Sequence, residues 1–448
     1  MTRPALRIAI VGGGPGGLTL ASILHHTSHL PSSPLRAASI SITVFEMDAS
    51  STSRQSQGGM LDIHRASGQR ALERAGLLDV FKTHMRVDAT EFLLRGKDGK
   101  VWLRHTEEPD GKGDDSEGQP EPERPEIDRI VLRSILLDSL PPDMIQWGKK
   151  LVSLTTTSDP STASSTTKFK LGFSDGTSAG DFDIIVGADG TWSKVRHLTD
   201  TTLRGSNKVD NKPPFSGVIC VEGCIQNLSV RYPELAEFAG KGSCHSIGEK
   251  LMLASQLNGD GSLRTYVMFE GPEDWNFPRP RDADVKTKVR KFVDEYIPLA
   301  EWNVAARNVI LLTDIDPVVR PLYGYPPGHR WTSPVNGIVL LGDAAHVMTP
   351  FAGVGVNLAL HDALDLASAI EGIAERITEE PADNQGVVSK AIEECLAKYE
   401  SAMFERASQN ADKTIKNRGL FLGEGGVQPV SEAMGAILSV DPEGNRID

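Results

Sequence analysis

The stretch Arg7-Ile8-Ala9-Ile10-Val11-Gly12-Gly13-Gly14-Pro15-Gly16-Gly17-Leu18-Thr19-Leu20-Ala21-Ser22-Ile23-Leu24 decides the fold. Its first five residues are β-formers in an alternating run, its middle is a glycine turn, and its end is apolar at helical spacing. Gly12-x-Gly14-x-x-Gly17 between a strand and a helix is a phosphate cradle. Gly12 permits the tight turn, Gly14 lets the backbone approach a pyrophosphate, and Gly17 lets the helix pack on the sheet. Amides at the helix start then face the anion. A second strand, Ile40 to Glu46, follows a loop containing Pro31 and Pro34, and it ends in a carboxylate. Glu46 there can accept both hydrogen bonds of a ribose diol and would repel a 2′-phosphate, so FAD or NAD is expected over NADP as the bound dinucleotide.

A second glycine block lies more than 300 residues later: Gly342-Asp343-Ala344-Ala345-His346, then Pro350, then Gly353-Val354-Gly355-Val356-Asn357. It follows a strand, Gly337 to Leu341, and it opens another helix. A second set of backbone amides so far along the chain implies a long ligand spanning the domain, which favours FAD over NAD. Asp343 is expected on the ribityl or pyrophosphate region. The amides of Gly355, Val356 and Asn357 are expected near the pyrimidine edge of the flavin ring, where negative charge develops on reduction. His346 is read as a packing residue of the turn rather than a base.

Between these blocks the pattern changes. Asp183 to Val186 is a short buried strand running into Gly187-Ala188-Asp189-Gly190. From Pro213 to about Pro321 spaced β-like runs take over, with one helix at about Asp284 to Tyr296. The expected organisation is a first part of the FAD-binding domain over residues 1–212, a substrate domain over 213–321 with contributions from the first part, a return segment over 322–385, a bridging helix over 386–420 and a poorly periodic tail over 421–448. Helices are also expected at Gly68 to Leu78, ended near Gly76, and at Arg129 to Leu140, stopped by Pro141-Pro142. Residues 106–124 hold eight acidic residues, two basic ones and three prolines, and read as a mobile insertion. The fold class is α/β: a Rossmann-like three-layer FAD-binding domain, an inserted mixed-sheet substrate domain and a C-terminal linking helix.

Composition narrows the function. The 448 residues carry a formal net charge of −13, with no basic surplus to neutralise phosphates, so no nucleic-acid partner is expected. No run of about 20 apolar residues offers a transmembrane span, and the first apolar stretch lacks a signal-peptide pattern. Four cysteines without regular spacing make a reducing, cytoplasmic setting the expectation. Cys220 and Cys224 complete no four-ligand set, so no metal is assigned.

The Gly12 to Gly17 turn, the Asp189-Gly190 element and the Gly342 to Asn357 block together resemble the aromatic-hydroxylase-like (group A) FAD-dependent monooxygenases, over about residues 5 to 415. Within that group the chain is most similar to the tetracycline-inactivating monooxygenases. The stretches that carry this are Gly58-Gly59-Met60-Leu61-Asp62-Ile63-His64, Pro125-Glu126-Ile127-Asp128-Arg129, Leu132-Arg133-Ser134-Ile135-Leu136-Leu137 and Pro350-Phe351-Ala352-Gly353.

The resemblance implies non-covalent FAD, transient reduction by a nicotinamide donor, usually NADPH, and O2 as co-substrate. A flavin hydroperoxide then passes one oxygen to an aromatic or polycyclic phenolic substrate, with a monomer as the expected state. It places Arg133, Glu46, Asp343, Gly355 and Val356 on the cofactor, with Gly59, Asp189 and Gly353 in the same set. An arginine before the Gly58-Gly59 pair also belongs there; Arg54 lies four residues before Gly58 and Gln55 occupies the expected place. The relatives' substrate-binding histidine aligns with Arg264, and their glutamine falls near Val221 or Glu222. Arg264 suggests an anionic or phenolic aromatic such as a polyketide, and a surface salt bridge is its other reading. His64 and Pro350 complete the substrate set. No catalytic base is assigned, because the oxygen chemistry belongs to the cofactor. A flavin oxidase or dehydrogenase on the same fold, and a non-enzymatic redox sensor, remain alternatives; no Trp-x-Trp-x-Ile-Pro stretch supports a halogenase.

Overall fold

The computed structural model describes residues 6–53, 58–106, 123–157, 167–205, 211–277, 284–297, 301–379 and 385–438. Arg54 and most of the acidic stretch 106–124 lie outside them.

Strand Arg7–Val11 is the centre of a parallel five-stranded sheet. Its order is Ile338–Leu340, Ile184–Gly187, Arg7–Val11, Ser41–Phe45, Ile145–Gln146. Parallel strands buried on both faces read as continuous apolar runs, and Ile8, Ile10, Ile184, Ile185 and Val186 are fully buried. One face carries helices Pro15–Ser28, Arg129–Asp138 and Gly355–Glu379. The last buries Leu358, Leu360, Ala363, Leu366, Ala367, Ile370, Ile373 and Ala374, the three-and-four spacing of a core-facing stripe. Each fully buried aliphatic of that stripe contributes about 1.5–3 kcal/mol by transfer from water. The other face meets a three-stranded antiparallel sheet, Leu151–Thr157, Lys168–Phe173 and Ser178–Phe182, where Phe45 packs on Phe173 at 4.8 Å and on Phe182 at 5.9 Å. Helix, sheet and sheet are the three layers.

A seven-stranded sheet forms the second unit, in the order Val318–Tyr323, Phe215–Ile225, Leu263–Glu270, Leu251–Leu257, Ser243–Gly248, Phe92–Gly96, Val101–His105. Ser243–Gly248 runs parallel to Phe92–Gly96 and every other pair is antiparallel, so the sheet is mixed. Its outer face is covered by helices Val285–Tyr296 and Val304–Leu311, the latter not visible as a helix in the sequence.

The cross-strand register corrects one substrate residue. Val221 lies opposite Val267 and Val319, is fully buried, and packs in the outer core with Leu253, Phe269 and Phe292. It faces away from the flavin-binding unit; side chains alternate along a strand, so its neighbour Glu222 takes the inner face.

Two stretches differ from the expected local structure. The helix expected from Gly68 starts later, as a wide turn Arg65–Gln69 feeds helix Arg70–Arg74; it ends near Gly76 as expected, where the chain turns back at φ +71°, and helix Leu78–His84 follows. The end of the chain is also more ordered than its glycines suggest. Helix Gln385–Phe421 is followed by Gly423 to Gly426 and then by helix Val427–Leu438, which packs on the inner face of the seven-stranded sheet through Val427 and Val430. Pro429 sits in the first turn, where a missing N–H removes no helical hydrogen bond.

Phe292 stands among Phe269, Trp275, Phe277 and Tyr296, with ring centroids 5.2–6.0 Å away. Phe292→Ala is expected to lower the stability of the protein by about 3–5 kcal/mol in urea unfolding while leaving FAD affinity of the folded fraction unchanged.

Candidate functional site

The glycines of the first turn divide into packing and cradle positions. A Cβ on Gly12, at φ +112°, would stand 2.3 Å from the Ala188 carbonyl oxygen, and one on Gly17 would stand 2.2 Å from that of Gly12. Gly14 has open space in front of it. Helix Pro15–Ser28 starts without a side-chain cap, which leaves its first-turn amides to an anion. Glu46 is buried at this end: Oε2 accepts from the Gly13 amide at 2.5 Å and Oε1 from the Asp48 amide at 2.9 Å.

The second turn is held from behind by the long C-terminal helix. Thr414 accepts from the Ala352 amide at 3.1 Å and donates to the Thr349 carbonyl at 2.7 Å, while Asn417 donates to the Phe351 carbonyl at 2.9 Å. Gly353 and Gly355 again have open space in front of them, and Pro350 and Val356 flank them on the accessible side. Asp343 is exposed to solvent, yet the surrounding protein is dense enough that desolvation pushes its carboxyl up, against the charges of His346 and Arg129. The open glycines, the buried glutamate at the Gly13 amide and the carboxylate between them fit an extended dinucleotide with a ribityl chain.

His346 belongs to the scaffold. Its Nε2 lies 2.6 Å from Asp362, whose carboxylate also accepts from the Gly342 amide at 3.0 Å and from Arg406 at 2.9 Å. Burial pulls the imidazole down, but Asp362 more than reverses this and the net direction is up. Burial likewise pushes Asp362 up, and His346, Arg406 and the Gly342 amide bring it below the usual carboxylate range.

Other expected cofactor residues take positions the sequence did not show. Asp189 spends its carboxylate on the start of helix Lys194–Leu198, accepting from the amides of Lys194 at 2.6 Å and Val195 at 3.1 Å and from the Ser193 hydroxyl at 2.5 Å. Arg133 lies at the Glu46 end, donating to the Ser51 carbonyl at 2.7 Å and standing 3.7 Å from Asp48. The arginine that reaches the middle of the cleft is Arg129. Its side chain passes 2.5 Å from where a Gly58 Cβ would be, and its charge is felt by both Asp343 and Tyr266. Asn357 turns its side chain inward, accepting from the His64 amide and donating to the Asp62 carbonyl, both at 2.8 Å. His64 pairs its ring with Asp62 at 2.7 Å.

Gly59 marks where the two units meet. A Cβ there would fall 2.3 Å from Gln256 Oε1 and 2.8 Å from the Tyr266 hydroxyl. Both belong to the inner face of the seven-stranded sheet, as does Arg264, which lies between Cys224 and Gln256 in the register. The sequence reading missed Gln256, Tyr266 and His245. The signal for all three is cross-strand register, set by partners distant in sequence. Burial pushes the Tyr266 phenol well up, so it stays protonated.

The family model described as "FAD binding domain" matches residues 331–385, the segment that carries the second turn. The chain is 28% identical to the monooxygenase penA of Penicillium thymicola over 97% of its own length and 100% of that protein. In fold it resembles HpxO of Klebsiella pneumoniae, solved with FAD and uric acid, at TM-score 0.66 and 18% identity, covering 96% of this chain and 92% of that one. It also resembles the tetracycline destructase Tet(51), at TM-score 0.63 and 16% identity, over 98% and 95% of the two chains.

Two measurements separate cradle from scaffold. Gly17→Ala is expected to destabilise the protein with or without cofactor, whereas Gly14→Ala should leave the apoprotein's melting temperature unchanged and weaken FAD binding by about tenfold or more. The His346–Asp362 pair gives a pH signature. A histidine with a raised folded pKa contributes stability that is complete below its ordinary value and is lost as pH rises through the folded one; Asp362 loses its contribution as pH falls into the acid range. The melting temperature of the wild type should therefore fall more steeply than that of His346→Gln as pH rises above the ordinary histidine value of 6.5.

Proposed function

We propose that the chain is an aromatic-hydroxylase-like FAD-dependent monooxygenase that oxygenates an aromatic or polycyclic phenolic small molecule, of polyketide type, with NADPH as donor. The balance is one substrate, one O2, one NADPH and one proton giving the hydroxylated product, NADP⁺ and water. FAD, when bound, supplies hydride acceptance and oxygen activation. The observation that carries the reading is the meeting at Gly59, where Gln256 and Tyr266 of the sheet touch the loop that borders the cofactor turn.

The chain's own residues bind and orient. Gly14, Gly353 and Gly355 admit the cofactor backbone-close, Glu46 offers a buried acceptor to a ribose, and Arg129 with Asp343 places one charge of each sign in the cleft. Phe351, Phe421, Met252 and Met268 exclude water from the sheet's inner face. Arg264 at the end of that face supports an anionic or strongly phenolic substrate, and Gln256 restores an amide where the aligned Val221 offers none. HpxO, solved with uric acid, and the tetracycline destructase both name polar polycyclic compounds, which supports the substrate class. Among the described residues no helix is long and apolar enough to cross a membrane. The reading includes a monomer and a reducing compartment, the second supported by the four unpaired cysteines.

The test is NADPH oxidation under ¹⁸O2 with tetracycline, salicylate and hydroxynaphthoquinones. Label in an organic product with matched donor consumption is expected. Hydrogen peroxide without labelled product across the panel would favour the oxidase reading. Arg264→Ala should raise KM for anionic substrates about tenfold and leave neutral ones unchanged.

A further inference from the structure

Arg133, Arg320 and Arg86 are each held by a carboxylate: Asp48 at 3.7 Å, Glu222 at 2.8 Å and Asp128 at 3.8 Å. Arg129 is not. Among the described residues its guanidinium makes no ion pair and no side-chain hydrogen bond, and the residue is exposed. Its place is nevertheless fixed. The Arg129 amide donates to the Gly59 carbonyl at 3.2 Å, and the stem of the side chain lies along Gly58, where a Cβ, at φ +99°, would stand 2.5 Å from Arg129 Cδ and 2.9 Å from Nε. From there the charge reaches groups of both units. Burial pushes up the carboxyl of Asp343, in the Gly342 turn, and the phenol of Tyr266, in the seven-stranded sheet, and the charge of Arg129 opposes that rise in each.

Local sequence works against this placement. Arg129 is the first residue of helix Arg129–Asp138, whose first turn has no acidic side chain. Asp128 before it gives its carboxylate to the Gly259 amide at 3.0 Å and not to the helix start. A cation at the positive end of a helix dipole is disfavoured. A local preference broken with no compensating partner in the chain marks a functional position.

The place in the cleft indicates which anion the charge serves. Gly59 meets Gln256 and Tyr266, so Arg129 stands at the end where the sheet closes on the cofactor unit, whereas Arg133, through Asp48, stands at the Glu46 end. With the nucleotide's ribose at Glu46, the ring system of FAD lies toward Arg129. Hydride transfer from a nicotinamide donor carries two electrons and one proton, so it adds one negative charge there while the donor leaves oxidised. Backbone amides of the Gly355 turn meet that charge with partial dipoles; Arg129 meets it with a whole unit.

We propose that Arg129 is a catalytic residue that balances the negative charge which hydride transfer adds to the bound flavin, and that it thereby sets the potential at which the protein accepts electrons. The inference rests on the monooxygenase reading and deepens it, by naming the side chain that governs the reductive half of the reaction.

The experiment is anaerobic spectroelectrochemical titration of the FAD-loaded protein without substrate. Arg129→Met should lower the two-electron midpoint potential by about 30 mV, a tenfold loss in the equilibrium constant for reduction. Arg129→Lys, which keeps a charge on a different head group, should lower it by less. Because the two binding equilibria and the two potentials form a cycle, oxidised FAD should bind Arg129→Met within about threefold of the wild type, and reduced FAD about tenfold more weakly. Arg129→Gln carries the same expectation should the methionine variant fail to fold. Arg133→Met should weaken both redox forms alike and leave the potential unchanged. An unchanged potential in the Arg129 variants, equal weakening of both forms by them up to loss of flavin, or an equal shift of potential in Arg133→Met overturns the inference. A wild type that binds no FAD overturns the monooxygenase reading with it, whereas label transfer from ¹⁸O2 tests that reading by itself.

Discussion

The side chain of Asn357 ties together parts of the site that are almost 300 residues apart in sequence. Its Oδ1 and Nδ2 reach the His64 amide and the Asp62 carbonyl, both at 2.8 Å, and the residue is 3% exposed. Two hydrogen bonds from a rigid amide fix distance and direction together. The strand Met60–Asp62 pairs with Glu126–Asp128, whose next residue is Arg129, and Gly59 lies just before it. One amide therefore sets the position of the second glycine turn, of Arg129 and of the loop against which the seven-stranded sheet rests. Losing one of the two bonds would leave a buried polar group unpaired, which costs more than the bond contributed.

Behind this clamp the structure separates charge from catalysis. A buried ionic group, Asp362 with His346 and Arg406, holds the turn at Gly342, with Asp362 and His346 both out of solvent. The groups left accessible are Asp343 and Arg129 in the cleft and Arg264 at the margin of the sheet, while Tyr266 and His245 are kept neutral by burial. That division suits chemistry supplied by a bound cofactor. The chain needs no activated nucleophile; it needs a dry, shaped surface beside the flavin and rigid turns to hold it.

The sequence shows clearly what the backbone alone decides. The turns at Gly12 to Gly17 and Gly353 to Gly355 and the strand end at Glu46 are recognisable because their geometry depends on neighbours within a few residues. Side-chain direction is another matter. Val221 differs from its neighbour Glu222 by one position, and in a strand that single step exchanges the inner face for the outer core. Asp189 and Asn357 occupy motif positions, yet their side chains serve a helix start and a clamp. Gln256, Tyr266 and His245 become neighbours only through pairing of strands whose register no local pattern encodes. The helix Val427–Leu438 was hidden by the glycines before it and by Pro429, although Val427, Val430 and Met434 keep helical spacing.

On the reading proposed above, one extended dinucleotide is gripped at both glycine turns at once. Calorimetric titration of the apoprotein with FAD, FMN and NAD tests it directly. One equivalent of FAD should bind at least a hundredfold more tightly than either FMN or NAD, because each of those ligands can occupy only part of the grip. FMN or NAD binding as tightly as FAD, or no binding of FAD at all, would contradict it.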